Sequence, residues 1–271
     1  MKIVIIHGQD HKGSTYHIAR KIAEKISVRN IAHAESNESV ENSAVVESMQ
    51  AGENKAVTYE GNEITEFFLP RDLPFFCKGC YACIEDATAC PFYKEKRVIL
   101  DKMEEADILI FSTPTYCSHV SAAMKSFFEL IFDYWMVHRP NESFFRKRAV
   151  VVSSSAGSSA KSATKDIAGF LFYLGVPSVT QCGIAVQAMN WEGIKEKKKM
   201  RIEKDTDRIA AKVSRAGKPR VGIKIKFMFN IFRMMQNGGM GSSPVEKEYW
   251  EKKGWLGKNR PWKNERLVNT K

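Results

Sequence analysis

The chain has 271 residues, a formal net charge of +11 and 44% hydrophobic residues. This composition predicts a folded globular protein and excludes an intrinsically disordered one, and no run approaches the roughly 18 uncharged apolar residues of a membrane-spanning helix. Because residues 1–6 lead directly into a strand pattern rather than into the apolar core of a signal peptide, we expect a soluble, cytoplasmic protein without a membrane span.

The positive charge belongs to the C-terminal third of the chain. Residues 1–190 carry 20 basic and 22 acidic side chains, net −2, whereas residues 191–271 carry 22 basic and 9 acidic ones, net +13. Such a basic segment can contact nucleic acid, anionic lipid, an acidic protein or a phosphorylated small molecule, or it can form a solvated helix. No helix-turn-helix, zinc-finger or RNA-binding signature is recognisable, so we expect no nucleic-acid partner.

The N-terminal pattern is a strand, a glycine-containing loop and a helix. Residues 2–6 form a continuous apolar run, residues 7–13 are polar, and apolar residues recur at helical spacing after Ser14. Residues 28–60 then carry few large apolar residues and a series of glutamates, which predicts an exposed acidic insert that is partly helical or mobile.

Four more segments predict further strands, two of them as continuous apolar runs, and amphipathic segments between them predict helices. The strands are expected at residues 64–69, 108–111, 149–152 and 179–184, and the helices at residues 94–105, 121–135 and 161–174. Apolar strands without alternation, separated by helices, indicate a doubly wound five-stranded parallel sheet, here an α/β domain over residues 1–190. Ligands of such sheets bind outside the carboxyl ends of the strands, where the loops 7–15, 113–119 and 153–159 are expected.

Residues 191–271 predict a basic, mainly helical C-terminal extension. A basic helix is expected at residues 192–216 and an apolar helix at residues 223–235, followed by several aromatic residues. This pattern favours packing on the same domain or on a second subunit over packing on lipid. We expect a homodimer or homotetramer in which residues 221–262 cover a neighbouring subunit.

The first polar loop, residues 8–15, has the features of a phosphate site. Backbone N–H groups at a helix N-terminus point towards an anion, and serine and threonine hydroxyls add donors. The loop matches neither GxxxxGK[ST] nor GxGxxG, which disfavours a nucleoside triphosphatase and a dinucleotide-fingerprint dehydrogenase. Taken alone, the loop is explained equally well by an ordinary capped helix start.

The second loop contains Pro114-Thr115-Tyr116, then small polar residues and a Ser121-Ala122-x-x-Lys125 helix start. This pattern resembles the flavin loop of the NAD(P)H-dependent FMN reductases with a flavodoxin-like fold, and the resemblance extends over residues 1–185 apart from the insert. It implies that FMN is bound by residues of all three loops. They are Gln9, His11, Gly13, Ser14 and Thr15 at the phosphate, Pro114, Thr115, Tyr116, Cys117 and Ser118 along the ring, and Ser154, Ala156 and Gly157 in the third loop.

Two departures from the family pattern concern details of these contacts. Gln9 and His11 replace a more usual serine and arginine, and Cys117 stands where many relatives carry tryptophan. Because the cofactor carries the redox chemistry, no protein side chain is predicted to be catalytic. The resemblance implies an oxidoreductase that passes electrons from NAD(P)H through FMN to a small acceptor such as a quinone or a flavin. A redox-sensing binding module is a competing hypothesis.

Four of the six cysteines, Cys77, Cys80, Cys83 and Cys90, fall within 14 residues. Their clustering argues against a secreted disulfide framework and for metal or redox chemistry. Three cysteines separated by two residues each, and a fourth followed by proline, resemble the ferredoxin-type run that binds a [4Fe–4S] cluster. Structural zinc usually takes two cysteine pairs from separate segments, so a single run of four cysteines favours the cluster over zinc. An iron–sulfur flavoprotein exchanging electrons with a ferredoxin-like partner is therefore one alternative. The other is a set of structural or free thiols, which many FMN reductases carry in a similar segment.

Overall fold

The computed structural model describes residues 1–35, 56–59, 62–157, 159–241 and 243–263. Its centre is a six-stranded sheet with the order β2-β3-β1-β4-β5-β6. The strands are β1 (Lys2–His7), β2 (Ala56–Tyr59), β3 (Asn62–Phe68), β4 (Ile108–Pro114), β5 (Arg148–Ser155) and β6 (Ser178–Ala185). Five of them are parallel, and β2 pairs antiparallel with β3 at the edge. The predicted flavodoxin-like sheet is confirmed, with β2 as an additional strand.

Helices cover both faces of the sheet. They are α1 (Ser14–Glu35), α2 (Leu69–Asp72), α3 (Ala82–Glu85), α4 (Tyr93–Glu105), α5 (Ala122–Leu130), α6 (Lys161–Leu174), α7 (Glu196–Val213), α8 (Ile223–Asn237) and α9 (Pro244–Lys252). Side chains of β1 alternate between two cores, because successive residues of a strand point to opposite faces. Val4 and Ile6 pack with α4, α5 and α6, whereas Ile3 and Ile5 pack with α1 and α7.

The boundaries differ from the predicted ones in several places. The helix α1 continues to Glu35 and thus includes the first residues of the predicted insert 28–60, and β2 includes residues near its end. Residues 36–55 of that insert lie outside the described residues. The helix α5 ends at Leu130 and a short 3₁₀ turn follows, where one helix was expected to reach Trp135.

The C-terminal extension packs on its own domain through a third core. Trp250 and Trp255 are fully buried there, together with Phe145 from the segment before β5. The Trp250 indole donates to the carbonyl of His138 at 2.7 Å, and the Tyr249 hydroxyl donates to the carbonyl of Pro140 at 2.7 Å. The sequence left two alternatives for this extension, packing on its own domain or on a second subunit. The inner side of the extension packs on its own domain. The oligomeric state stays a prediction.

Among the described residues, no helix combines the length and the apolarity that a bilayer span requires. The longest, α1, has 22 residues but carries many charged side chains.

Candidate functional site

The three polar loops meet at one edge of the sheet, which we call the carboxyl-edge loops (residues 7–15, 113–119 and 153–159). They are adjacent because β4 lies between β1 and β5, with His7 opposite Ser112 and Pro114 opposite Ser154. The carboxyl edge of a doubly wound sheet is the general ligand position of this architecture. The sheet order therefore brings together loops that lie far apart in the sequence.

The first and second loops are in close contact at Gly8. The Gly8 N–H donates to the Ser112 carbonyl at 2.7 Å, and the Ser121 hydroxyl donates to the Gly8 carbonyl at 2.8 Å. A Cβ atom at Gly8 would lie 2.6 Å from Ser121 Oγ and 2.9 Å from Thr113 Oγ1. Glycine is required here because the loops approach too closely for a side chain.

A pocket opens where α1 begins. Its wall contains several of the predicted phosphate-site residues and three residues that sequence reasoning did not select, namely His7, Tyr16 and Ser112. The complete lining is His7, Gln9, His11, Gly13, Thr15, Tyr16, Ser112 and Pro114. The backbone N–H groups of the first helical turn have no acceptor within the helix, so the N-terminus of α1 supplies donors and a positive dipole end at this pocket.

The second loop contains a tight backbone turn. Tyr116 and His119 exchange two backbone hydrogen bonds of 3.0 and 2.9 Å, and the intervening Cys117 and Ser118 have φ angles of 47° and 68°. A two-residue hairpin of this kind requires positive φ at both central positions, where glycine or asparagine is usual. The loop thus holds two non-glycine residues in the left-handed region, a feature that often marks a ligand site.

The tip of this turn is bonded to α6. The His119 ring nitrogen Nδ1 lies 2.9 Å from Asp166 Oδ2, and the Ser162 hydroxyl donates to the Ser118 carbonyl. These contacts order the loop. Tyr116 remains 45% exposed, so its ring is accessible to a ligand at this edge.

The third loop is joined to the other two by serine and threonine side chains. Thr115 donates from its N–H to the Ser154 carbonyl at 2.8 Å, and its hydroxyl bonds to Ser153 Oγ at 2.8 Å. Thr15 Oγ1 lies 2.5 Å from Ser154 Oγ. Ala156 and Gly157 follow at the exposed end of the loop. Hydrogen bonds through Thr15, Thr115 and Ser154 therefore join the three loops to one another.

A buried charged cluster lies beneath the pocket. The His7 ring stacks on Phe68 with 4.6 Å between centroids, and its Nε2 is 3.7 Å from Glu66 Oε2. Arg20 Nη1 donates to Glu66 Oε1 at 2.6 Å. Burial alone would raise the pKa of Glu66, but the neighbouring His7 ring and the Arg20 guanidinium hold that pKa below its usual value.

The cysteine segment (residues 77–90) forms a second candidate site. Its four cysteines line one small cavity, together with Leu130 and Phe132 from the end of α5. Cys83 is buried, Cys77 and Cys90 are half-buried and Cys80 is exposed. The Gly79 N–H donates to Cys77 Sγ at 3.5 Å. The predicted clustering of these residues is thus present in three dimensions.

A single bound metal ion requires donor side chains that converge on one point. Within the described ranges, no three His, Cys, Asp or Glu side chains converge closely enough to hold one metal ion. A zinc site needs all of its thiolates at about 2.3 Å from one ion, whereas a [4Fe–4S] cluster takes one thiolate at each iron corner and separates them further.

Charged side chains that sequence reasoning missed support the cysteine segment. Lys96 is 1% exposed and donates to the Leu130 carbonyl and to Asp133 Oδ1, both at 3.0 Å. Arg139 donates to the Cys83 carbonyl. Burial and the Asp133 carboxylate raise the pKa of the Cys83 thiol to about 11. Nothing in the local sequence marks Lys96 as buried, because its partner lies 37 residues further on.

The sheet order and the bonded carboxyl-edge loops define an α/β protein of the flavodoxin-like class with a pocket at the start of α1. The family model of the NADPH-dependent FMN reductases matches residues 1–190. The chain belongs to this family.

Known proteins with similar sequence or fold support this assignment at different levels. The iron–sulfur flavoprotein of Archaeoglobus fulgidus is 26% identical over 126 residues, which are 46% of this chain and 46% of that protein. This chain therefore spans about half the length of the curated relative that it matches.

Two solved structures share the fold. An NADH:FMN oxidoreductase in its apo form is 15% identical, with a TM-score of 0.50 and coverage of 79% of this chain and 91% of that chain. An FMN-dependent NADH-azoreductase from Bacillus anthracis, solved with FMN, is 11% identical, with a TM-score of 0.50 and coverage of 78% and 100%. At these identities the likeness concerns the fold alone.

Proposed function

We propose that this protein is an FMN-dependent oxidoreductase that takes hydride from NAD(P)H and passes electrons to a small acceptor such as a quinone or a flavin. The observation that carries the proposal is the pocket at the N-terminus of α1, formed by residues from two loops and bonded to the third through Thr15 and Ser154. Family membership supports FMN as the ligand. When bound, FMN supplies hydride acceptance and both one- and two-electron donation.

The phosphate end of FMN is assigned to the first loop. Ser14 and Thr15 would donate their backbone N–H groups and hydroxyls to the phosphate oxygens, and the α1 dipole favours the negative charge. Gln9 and His11 lie on the wall of the same pocket and add side-chain donors. These groups bind the cofactor and take no part in the chemistry.

The ring end of FMN is assigned to the second and third loops. Tyr116 is half-exposed next to the left-handed residues Cys117 and Ser118, whose backbone would approach the ring edge closely. Ala156 and Gly157 would contact the pyrimidine side from the third loop. Their role is to orient the ring and leave one face open to the nicotinamide and then to the acceptor.

Substitution of Ser14 tests the phosphate assignment. In Ser14→Asp, the new carboxylate stabilises the helix N-terminus but repels the phosphate, so we expect unchanged or higher stability and at least tenfold weaker FMN binding. Fluorescence titration of apoprotein with FMN measures the affinity, and urea unfolding of the apoprotein measures the stability.

Gly222→Asp is the matched control, because Gly222 is the exposed N-cap of α8 and an added Cβ there meets no atom within 4 Å. It introduces the same charge at another helix start and should leave FMN affinity unchanged. Equal FMN affinity in Ser14→Asp and the wild-type protein would refute the phosphate assignment.

Turnover distinguishes the enzyme from the redox-sensing module. The holoprotein should oxidise NADH or NADPH in steady state when a quinone or free flavin is supplied. A protein that binds FMN tightly but shows no nicotinamide oxidation with any acceptor would favour the binding module instead.

A second candidate function is that of an iron–sulfur flavoprotein that exchanges electrons with a ferredoxin-like partner. The specific observation is that all four clustered cysteines line one cavity, and the Archaeoglobus relative is an iron–sulfur flavoprotein. The helix α5 begins beside the second loop and ends at this cavity, so the two candidate sites lie at opposite ends of one helix.

Anaerobic purification with iron and sulfide assays tests the cluster. About four irons and four sulfides per chain, with broad absorption beside the flavin bands, would support it. Cys80→Ala should remove this iron, whereas Cys182→Ala, at a buried strand position outside the cavity, should retain it. Flavin bands without iron in anaerobic wild-type protein would identify an FMN reductase with free thiols.

A further inference from the structure

The helix α8 has two different faces. Its inner face belongs to the third core, where Phe229 is fully buried with centroid distances of 4.8 Å to Trp250 and 5.7 Å to Trp255. Ile225 and Gln236 are buried on the same side. This face is fully explained by folding of the C-terminal extension.

The outer face carries large apolar side chains that folding leaves exposed. Ile223 is 82% exposed, Phe227 65% and Met234 60%. With 3.6 residues per turn, these three positions lie within about 40° of one another around the helix axis. A row of exposed apolar residues on one helix face marks an interaction surface rather than random surface variation.

Lysines flank this apolar row on both sides. Helical geometry places Lys224 about 100° from Ile223 in one direction and Lys226 about 60° in the other, and both are exposed. The exposed Lys218 and Arg220 precede the helix. Residues 208–245 contain eight Lys or Arg and no Asp or Glu, so no acidic residue within this stretch offsets the positive charge.

The charge identifies the kind of partner. A second copy packed face to face would bring the same lysines against one another, because a two-fold interface pairs identical patches. An apolar row between lysines is instead the arrangement of helices that lie in the headgroup region of an anionic membrane. With 15 residues, α8 is about 22 Å long and too short to cross the roughly 30 Å hydrocarbon core.

We propose that the outer face of α8 binds the surface of an anionic phospholipid bilayer. Ile223, Phe227 and Met234 would enter the boundary between headgroups and acyl chains, while Lys224 and Lys226 would contact lipid phosphates. The helix lies in the plane of the membrane and does not span it.

This orientation leaves the candidate flavin site open. The segment before β5 contacts α8 through the rings of Phe145 and Phe229, whose centroids are 5.8 Å apart. Arg148, at the start of β5, donates to the Gly217 carbonyl at 2.6 Å. The carboxyl-edge loops lie at the other end of this eight-residue strand, about 25 Å away. Membrane binding through α8 does not depend on FMN or on its chemistry.

Vesicle co-sedimentation of the full chain tests the proposal. We expect binding to vesicles of phosphatidylcholine mixed with phosphatidylglycerol, at least tenfold weaker binding to phosphatidylcholine alone, and a decrease with added salt. The double variant Lys224→Gln, Lys226→Gln should reduce partitioning about twentyfold, since each surface lysine contributes about fivefold. The control Lys197→Gln, Lys204→Gln removes the same charge from α7, where both lysines are exposed, and should change partitioning less than threefold.

A second pair of variants tests the apolar row. Met234→Ser should weaken partitioning about fivefold or more, whereas Met200→Ser on α7, where the methionine is also 60% exposed, should not change it. All six positions of the lysine and methionine variants are exposed, so unfolding midpoints should match the wild-type protein.

Three outcomes would overturn the proposal. They are equal binding to both kinds of vesicle, equal losses in the α8 and α7 variants, and absence of vesicle binding. A dimer by light scattering that Met234→Ser dissociates, in a protein that ignores vesicles, would assign the face to a second copy instead.

Discussion

The carboxyl-edge loops and the cysteine segment obtain their shapes from different kinds of contact. Hydroxyl groups bond the three loops directly to one another, as in the pairs Thr15–Ser154 and Thr115–Ser153. The cysteine segment is instead supported from outside, by Arg139 on the Cys83 carbonyl and by the Lys96–Asp133 pair next to the cavity. Bonds between neutral groups thus join the parts of the first site to one another, whereas charged side chains from neighbouring segments contact the second.

This difference has energetic consequences. A neutral hydrogen bond contributes about 1 kcal/mol, so the loops can be altered one bond at a time. A buried ion pair contributes little when intact but leaves an uncompensated charge when one partner is removed. The cysteine segment should therefore be sensitive to single substitutions outside it, and the loops to substitutions within them.

The largest effect is expected for Lys96→Met. Removing the ammonium leaves the buried Asp133 carboxylate with Arg139 Nη2 at 4.0 Å from its Oδ2 in place of Lys96 Nζ at 3.0 Å, and we expect the free energy of unfolding to fall by about 3 kcal/mol. Urea unfolding measures this loss. FMN affinity should change less than twofold; a parallel loss of FMN binding would show that the two regions are not independent.

Lys125→Met is the control for this substitution. Lys125 pairs with Glu129 on the exposed side of α5, and such pairs contribute roughly 0.5 kcal/mol. Adding Asp133→Leu to Lys96→Met should recover part of the lost stability, because the buried carboxylate that has lost its ammonium partner is then removed.

An intermediate effect is expected for Gly8→Ala. The added methyl group would overlap Ser121 Oγ and Thr113 Oγ1, so stability should fall by about 1–3 kcal/mol and FMN affinity should fall with it. Gly157→Ala in the third loop meets no atom within 4 Å and should be neutral in stability. Equal unfolding midpoints for the two variants would argue against close contact between the first and second loops.

The smallest effect is expected for Ser118→Gly. Glycine relieves the left-handed backbone at φ 68° but adds freedom to the unfolded chain, so the net gain in stability should be at most about 1 kcal/mol. Ser214→Gly, at a position with φ −76°, should lower stability instead. A loss of stability in both variants would mean that the turn at residues 116–119 is not strained.

The sequence predicted the parts of this molecule that depend on local pattern. Continuous apolar runs and strand-like segments identified the five parallel strands, and turn and cap residues located the loops at residues 7–15 and 113–119. Cys182 was expected on a strand and is buried there. These predictions rest on neighbouring residues, which is why they could be made without the tertiary structure.

Contacts between distant segments could not be predicted in the same way. The four residues of β2 are too few to give a strand pattern, and α9 carries mostly charged and aromatic residues rather than an apolar stripe. Lys96 is a lysine within a helix, which on sequence alone predicts an exposed side chain. His7 reaches the pocket wall only because β4 lies beside β1. Each depends on which elements are neighbours in the sheet, information that one sequence does not contain.

The short strand β2 has a consequence for association between molecules. Its antiparallel pairing, from Ala56 opposite Thr65 to Tyr59 opposite Asn62, occupies backbone donors and acceptors on the outer side of β3. Without β2, the seven-residue β3 would present an open row of such groups, which is a template for strand addition and aggregation. Among the described residues, this four-residue segment is the outermost strand on this side of the sheet, and it covers the backbone of β3 against strand addition.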